Sequence, residues 1–221
     1  MKIGVIACSV MKMELDKLLQ TIPEVSRITY LEVALHCYPQ KMKEAIKEQI
    51  RAVQDQVDVV FLGYGYCQSL KGIEDEFEIP IVMPQMDDCI QILMTPQKYA
   101  SEMRKEVGTW FMTPGWAEAG AEMVIKELRA DRVTKYGKNP LEIAKRLFVH
   151  YRRGLYVDTG VGGNGHLVQK AAEFCEIFNL RLEKTVGTSS VLEQYLQRAV
   201  EIGRRRAEST DASERESEHD A

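Results

Sequence analysis

The residues of this 221-residue chain with most chemistry to offer are five cysteines, at positions 8, 37, 67, 89 and 175. Their number is odd and no CxxC pair occurs. The chain is expected to be cytoplasmic, where thiols stay reduced, so a disulfide framework is not expected. Three roles remain open: metal ligand, catalytic group or small buried hydrophobe. Placement narrows them. Cys8 follows the apolar run KIGVIA at 2–7, and His36 and Cys37 follow RITYLEVAL at 27–35. Cys67 follows VDVVFLG at 57–63 by way of Tyr64, Gly65 and Tyr66; Cys89 follows IPIVM at 79–83 by way of residues 84–88. Each run has the composition of a strand. In a parallel sheet the carboxyl ends of strands share one edge, and that edge is where open α/β folds bind ligands. Thiolates and imidazole suit zinc and iron–sulfur clusters. Cys8, His36, Cys67 and Cys89 are therefore candidate ligands of one metal site, for zinc or an iron–sulfur cluster. Cys37 is either a further thiol ligand or a neighbour facing away. Cys175, between Phe174 and Phe178 in an amphipathic stretch, reads as core.

Other groups fall at the same edge. Asp88, with Asp87 before it, precedes Cys89 at a helix start; it serves as general base, as an acceptor backing a ligand, or as N-cap. Glu14, a turn or so past Cys8, faces the site or solvent and is the second carboxylate with a candidate catalytic role. Gly63 and Gly65 let backbone approach a ligand or merely permit a turn. Tyr64 and Tyr66 stack on a planar ligand or pack against loops. In the second half, three strand-to-helix loops present backbone N–H groups of the kind that cradle anions. They are Thr113-Pro114-Gly115-Trp116, the run DTGVGGNGH at 158–166, and Gly187-Thr188-Ser189-Ser190. Together with Gly63 and Gly65, Thr113, Gly115, Trp116, Gly187, Thr188 and Ser189 are the candidate cofactor-binding residues. GVGGNG lacks the Walker Lys-Ser/Thr and does not fit a GxGxxG with a following acidic residue, so it carries little nucleotide signal. His166 is a ligand or a helix-start residue.

The elements that must position these groups alternate. The spacing predicts helices over 11–20 and from Pro39 to about Gln54, over 89–106 with a break near Pro96, over 116–150 with a break at 138–140, over 167–178, and from Ser189 or Ser190 to about Ile202. Between them lie seven strand-like runs, the last three at 108–113, 154–159 and 180–186. Strand–helix alternation predicts an α/β fold, an open and mostly parallel sheet with helices on both faces, as one body or as two Rossmann-like lobes. Residues 1–202 read as a single α/β domain with a possible lobe boundary within 116–150. Residues 203–221, with almost nothing apolar, read as a disordered tail.

Composition excludes several classes of function. Hydrophobic residues make up 45% and charged residues 28%, a globular balance, and the net charge is −4. No basic surplus exists to neutralise phosphates, which speaks against nucleic acid. No run approaches the ~20 apolar residues that span a bilayer, and MKIGVIACSV reads as a first strand rather than a signal peptide.

Several segments together carry a likeness. LHCYP at 35–39, LGYGYC at 62–67, PQMDDCIQILM at 84–94 and GTWFMTPGW at 108–116, with Cys8 and Glu14 before them, resemble an uncharacterised family of anaerobic bacteria and methanogenic archaea, domain of unknown function 1638. The resemblance runs from Ile6 to about Leu196. It departs from a common glycine-containing run after Asp88-Cys89-Ile90, where this chain has Leu93-Met94-Thr95-Pro96. The resemblance implies a role in anaerobic methyl-group metabolism, because members are often encoded near corrinoid-dependent methyltransferases, whose components become possible partners. The chain has no cobalamin-domain DxHxxG run.

Three functional readings follow. The first is a metal- or cluster-binding protein at the Cys8, His36, Cys67, Cys89 edge. The second is a metal-free thiol enzyme with racemase-like acid–base cysteines acting on a small carboxylate. The third is a non-enzymatic accessory protein of a corrinoid methyltransferase system.

Overall fold

The computed structural model describes residues 1–163 and 165–219, with the side chains of the last helix through Ser209; Asn164 of the glycine-rich run, Asp220 and Ala221 lie outside the described residues. In chain order the elements are β1 (Ile3–Cys8), α1 (Lys12–Leu19), β2 (Val25–Leu31), α2 (Pro39–Val53), β3 (Val59–Gly63), β4 (Ile81–Val82), α3 (Cys89–Met94), α4 (Pro96–Lys105), β5 (Thr109–Met112), α5 (Pro114–Glu127), α6 (Pro140–Leu147), β6 (Arg153–Asp158), α7 (His166–Phe178), β7 (Arg181–Val186) and α8 (Ser190–His219). Short 3-10 turns fill Ser9–Met11, Val33–Cys37, Ile73–Glu76 and Ala130–Tyr136.

The strands form two wholly parallel sheets, one ordered β2-β1-β3-β4 and the other β5-β6-β7. This is the α/β architecture, in its two-lobed form. β1 and β3 are buried along their whole length, which is why they read as unbroken apolar runs. α2 buries Met42, Ile46, Ile50 and Val53 on one face, with Pro39 fitting its first turn. α3 and α4 are separated at Thr95, whose φ of 70° no helix accepts, and Pro96 restarts the chain.

The structure differs from the sequence reading in three places. The expected strand 27–35 stops at Leu31, because its only partner, β1, ends opposite it at Cys8. The chain then folds into the Val33–Cys37 turn that carries His36. The sheets divide earlier than 116–150: the first ends at Val82 and the second begins at Thr109. The 116–150 stretch lies within the second half, where Trp110, Phe148, Tyr151, Phe174 and Phe178 build an aromatic core with ring centroids 4.4–6.2 Å apart. Finally, α8 does not stop at Ile202. It crosses back to the first sheet, and Gly203 is buried against Met1 and Val59, where an added Cβ would lie 2.7–2.9 Å from their side chains. Arg204 bonds Glu24 at 2.9 Å and Arg206 donates to the Glu78 carbonyl at 3.0 Å. The start of the expected disordered tail is thus docked, and helical backbone runs to His219. Among the described residues, no helix is long and apolar enough to cross a membrane.

The halves are joined at their carboxyl edges. A Cβ on Gly115, in the first turn of α5, would sit 2.0 Å from the Val10 carbonyl oxygen, so that turn lies directly on the backbone after β1. Thr188 after β7 donates its backbone N–H to the Leu93 carbonyl of α3 at 2.8 Å. The Thr159 hydroxyl after β6 donates to Glu14 Oε1 of α1 at 2.6 Å.

Candidate functional site

Parallel pairing of β1, β3 and β4 delivers their carboxyl-end loops to one place. Gly65 makes this close: its Cβ would lie 2.7–2.9 Å from Asp88 backbone atoms, so the loop after β3 rests on the start of α3. Cys8, His36, Cys67 and Cys89, with Tyr64, Asp87 and Asp88, line one cavity of about 130 Å³. Met11, Leu35 and Met42 make its walls largely apolar, and no lysine or arginine is among its lining residues.

That environment disfavours the charged forms of Cys8, Cys89 and His36. Burial raises the Cys8 thiol to about 11, against a backbone hydrogen bond at Val10. Burial pushes Cys89 up further, with Cys8 and Asp88 adding to it and the Trp116 indole beside the sulfur opposing it. Burial lowers His36 below its ordinary value. At neutral pH Cys8 and Cys89 are thus protonated thiols and His36 a neutral imidazole. The Tyr64 hydroxyl is buried with no hydrogen-bond partner.

Sharing a cavity is not the same as converging on a point. Among the described residues, no group of three or more His, Cys, Asp or Glu side chains stands positioned to hold a metal ion.

A second cavity of about 300 Å³ adjoins the first, and His36, Asp88 and Cys89 line both. Its other walls are Tyr99, Trp110, Phe111, Trp116, Tyr151 and Glu127. Trp116 packs on His36 with ring centroids 5.2 Å apart. Glu127 Oε1 lies 3.8 Å from His36 Nε2, its Oε2 is buried without a partner, and burial raises the carboxyl to about 7.

The chain matches the family described as "Protein of unknown function (DUF1638)" over residues 30–196. It belongs to this family. No curated protein and no solved structure matches the chain. The span the family shares contains His36, Cys67, Asp88, Cys89, Trp116 and Glu127, and leaves Cys8 and Glu14 before it.

The other sequence candidates separate into those at the cavities and those that build the frame. Asp88 does both: Oδ1 accepts from the Gln91 backbone N–H at 2.8 Å as the α3 N-cap, while the side chain borders both cavities. Glu14 is fully buried but lines neither cavity; Thr159 holds one oxygen and the other has no partner. Gly63 is a packing glycine, since its Cβ would meet that of Ala7 at 2.5 Å. Thr113 is fully buried and its hydroxyl finds no partner. Gly115, Gly187 and Thr188 hold the halves together, and the Thr188 hydroxyl accepts from the Ser190 backbone N–H at 3.0 Å at the start of α8. With Ser189 they lie outside both cavities. Tyr66 supports its loop by accepting from the Gly72 backbone N–H at 3.3 Å. Cys37 is buried and borders neither cavity, and Cys175 packs where a Cβ on Gly154 would touch its sulfur at 2.3 Å. His166 is an exposed residue at the start of α7, 3.9 Å from Glu118.

Sequence reasoning missed the aromatic cavity. Trp110 and Phe111 stand inside the GTWFMTPGW segment, but Tyr99, Glu127 and Tyr151 come from stretches with no local pattern to single them out.

Proposed function

We propose that the cavity of about 130 Å³ is a metal-binding site in which Cys8, Cys67, Cys89 and His36 take up one thiophilic centre, zinc or an iron–sulfur cluster. The observation that carries this reading is that all four border the same small cavity and no cationic side chain borders it with them. A neutral imidazole and protonated thiols form a soft donor set whose deprotonation a metal cation compensates. Loading requires side-chain movement, since no ready cage stands. A bound metal would supply Lewis acidity or electron transfer; the protein supplies donors, an apolar wall and Asp88 at its border. The context is the one the resemblance implies, anaerobic methyl-group metabolism alongside corrinoid methyltransferases.

The test is anaerobic titration with Co²⁺, followed by thiolate-to-metal absorption, and metal analysis of protein purified without oxygen. One equivalent bound, with loss of the band in Cys67→Ser, is the expected outcome. A folded protein that takes up neither cobalt, zinc nor iron sinks the reading.

One observation favours the second reading, thiol acid–base chemistry without metal: Cys8 is close enough to Cys89 to disfavour its ionisation. The same elevation works against a resting thiolate. Iodoacetamide reaction at neutral pH separates the two, since a rapidly alkylated Cys8 or Cys89 in metal-free protein belongs to the thiol enzyme.

A further inference from the structure

We propose that the aromatic cavity beside the thiols is a binding site for a small organic cation of the methylated-ammonium class. Five rings border it, from Tyr99, Trp110, Phe111, Trp116 and Tyr151. They come from α4, β5, α5 and the segment before β6, so only the tertiary fold assembles them. Tyr99, Trp110, Phe111 and Tyr151 remain half-buried despite their mutual contacts, which leaves ring surface open to the cavity.

The ionisable groups on the lining are the carboxyls of Asp88 and Glu127, the His36 imidazole, the Cys89 thiol and two tyrosine hydroxyls; no lysine or arginine is among them. An anionic ligand meets no cationic lysine or arginine there. A cation meets ring faces, to which it is attracted within about 6 Å of a centroid. It also meets Glu127, whose buried Oε2 has no hydrogen-bond partner. A methylated ammonium fits this better than a bare amine, because it presents methyl groups rather than N–H donors to apolar rings. The volume, about 300 Å³, stands at the lower end of the ~300–1,000 Å³ of ligand pockets and suits a head group of a few heavy atoms.

This inference does not depend on the metal reading, although the cavities share a wall. The experiment uses the full chain stripped of metal by chelation, so that its outcome is independent of metal uptake. Choline and its neutral isostere 3,3-dimethylbutan-1-ol are titrated calorimetrically against the protein. Choline is expected to bind at least tenfold more tightly. Tyr99→Leu and Glu127→Gln are each expected to weaken choline binding about tenfold, and Tyr99→Phe, which keeps the ring, to retain it; circular dichroism confirms that each variant is folded. Equal binding of the two ligands overturns the proposal. So does undetectable binding of choline, tetramethylammonium and trimethylammonium alike at millimolar concentration, or undiminished choline binding by folded Tyr99→Leu.

Discussion

The two ends of the strands treat buried polar groups in opposite ways. At the amino end of the second sheet, Arg153 is 2% exposed and each nitrogen of its guanidinium donates. It donates to Thr109 Oγ1 at 2.9 Å, to Glu102 Oε2 at 3.0 Å and to the Glu102 carbonyl at 2.8 Å, and to Glu183 Oε2 at 3.2 Å. At the carboxyl edges, where the halves meet, Glu14 Oε2, Tyr64 Oη, Thr113 Oγ1 and Glu127 Oε2 are buried without partners. A satisfied network specifies structure, whereas unpartnered groups burden stability and are tolerated where something is to be bound. Two of these groups, Tyr64 and Glu127, border the cavities proposed as binding sites.

The contrast has a pH signature with opposite signs. Burial alone would raise Glu102, but Lys105 and Arg153 hold it below its ordinary value, and Arg181 does the same for Glu183. Stability from these groups is complete above the ordinary carboxylate range and is lost as pH falls through their lowered values. Burial raises Glu14, Asp88 and Glu127 instead. A raised carboxyl favours the folded state while protonated, and that advantage is lost as pH climbs.

The largest expected effect is at the satisfied end. Arg153→Met removes the buried cation beside Glu102, leaving it only the exposed Lys105, and should cost about 3–5 kcal/mol in urea denaturation at pH 7. A loss below about 1 kcal/mol would mean that the network is not what holds this edge. Next comes the join between the halves. Gly115→Ala pushes a methyl group into the Val10 carbonyl, a backbone atom 2.0 Å from the added Cβ, and should cost about 3 kcal/mol, the upper end for overpacking. Retained stability would show that α5 can slide on the first half. The third prediction concerns slope. From pH 4.5 to about 7 the Glu127 shift is worth roughly 3 kcal/mol at most. Solvent reaching its 32% exposed side chain brings the expected decline to about 2 kcal/mol. Glu127→Gln should flatten stability over that window, measured as thermal midpoints against pH. The smallest effect is Asp88→Ala, which removes the α3 cap and should cost about 1 kcal/mol. Asp88→Asn, which keeps a capping oxygen, should restore most of it.

Much of the frame was legible in the residues. β1 and β3, buried on both faces, announce themselves as continuous apolar runs, and the rule that parallel strands share a carboxyl edge was enough to bring Cys8, His36, Cys67 and Cys89 to one cavity. What stayed hidden depends on partners. β2 ends where β1 ends, which no property of residues 32–35 reveals. Ile202 and Gly203 continue α8 because the first sheet offers them a surface. Glu127 looks like any carboxylate in the last turn of an exposed helix until His36, ninety-one positions earlier, is folded beside it. Gly187 and Thr188 were legible as a turn, but not as a turn that clasps α3.

The return of α8 to the first sheet has a mechanical consequence. The polypeptide passes between halves twice, once through α4 into β5 and again from β7 into α8. Any hinge that widens the cleft over the thiols must therefore bend at two joints in concert, with the long terminal helix acting as a strut that sets the travel.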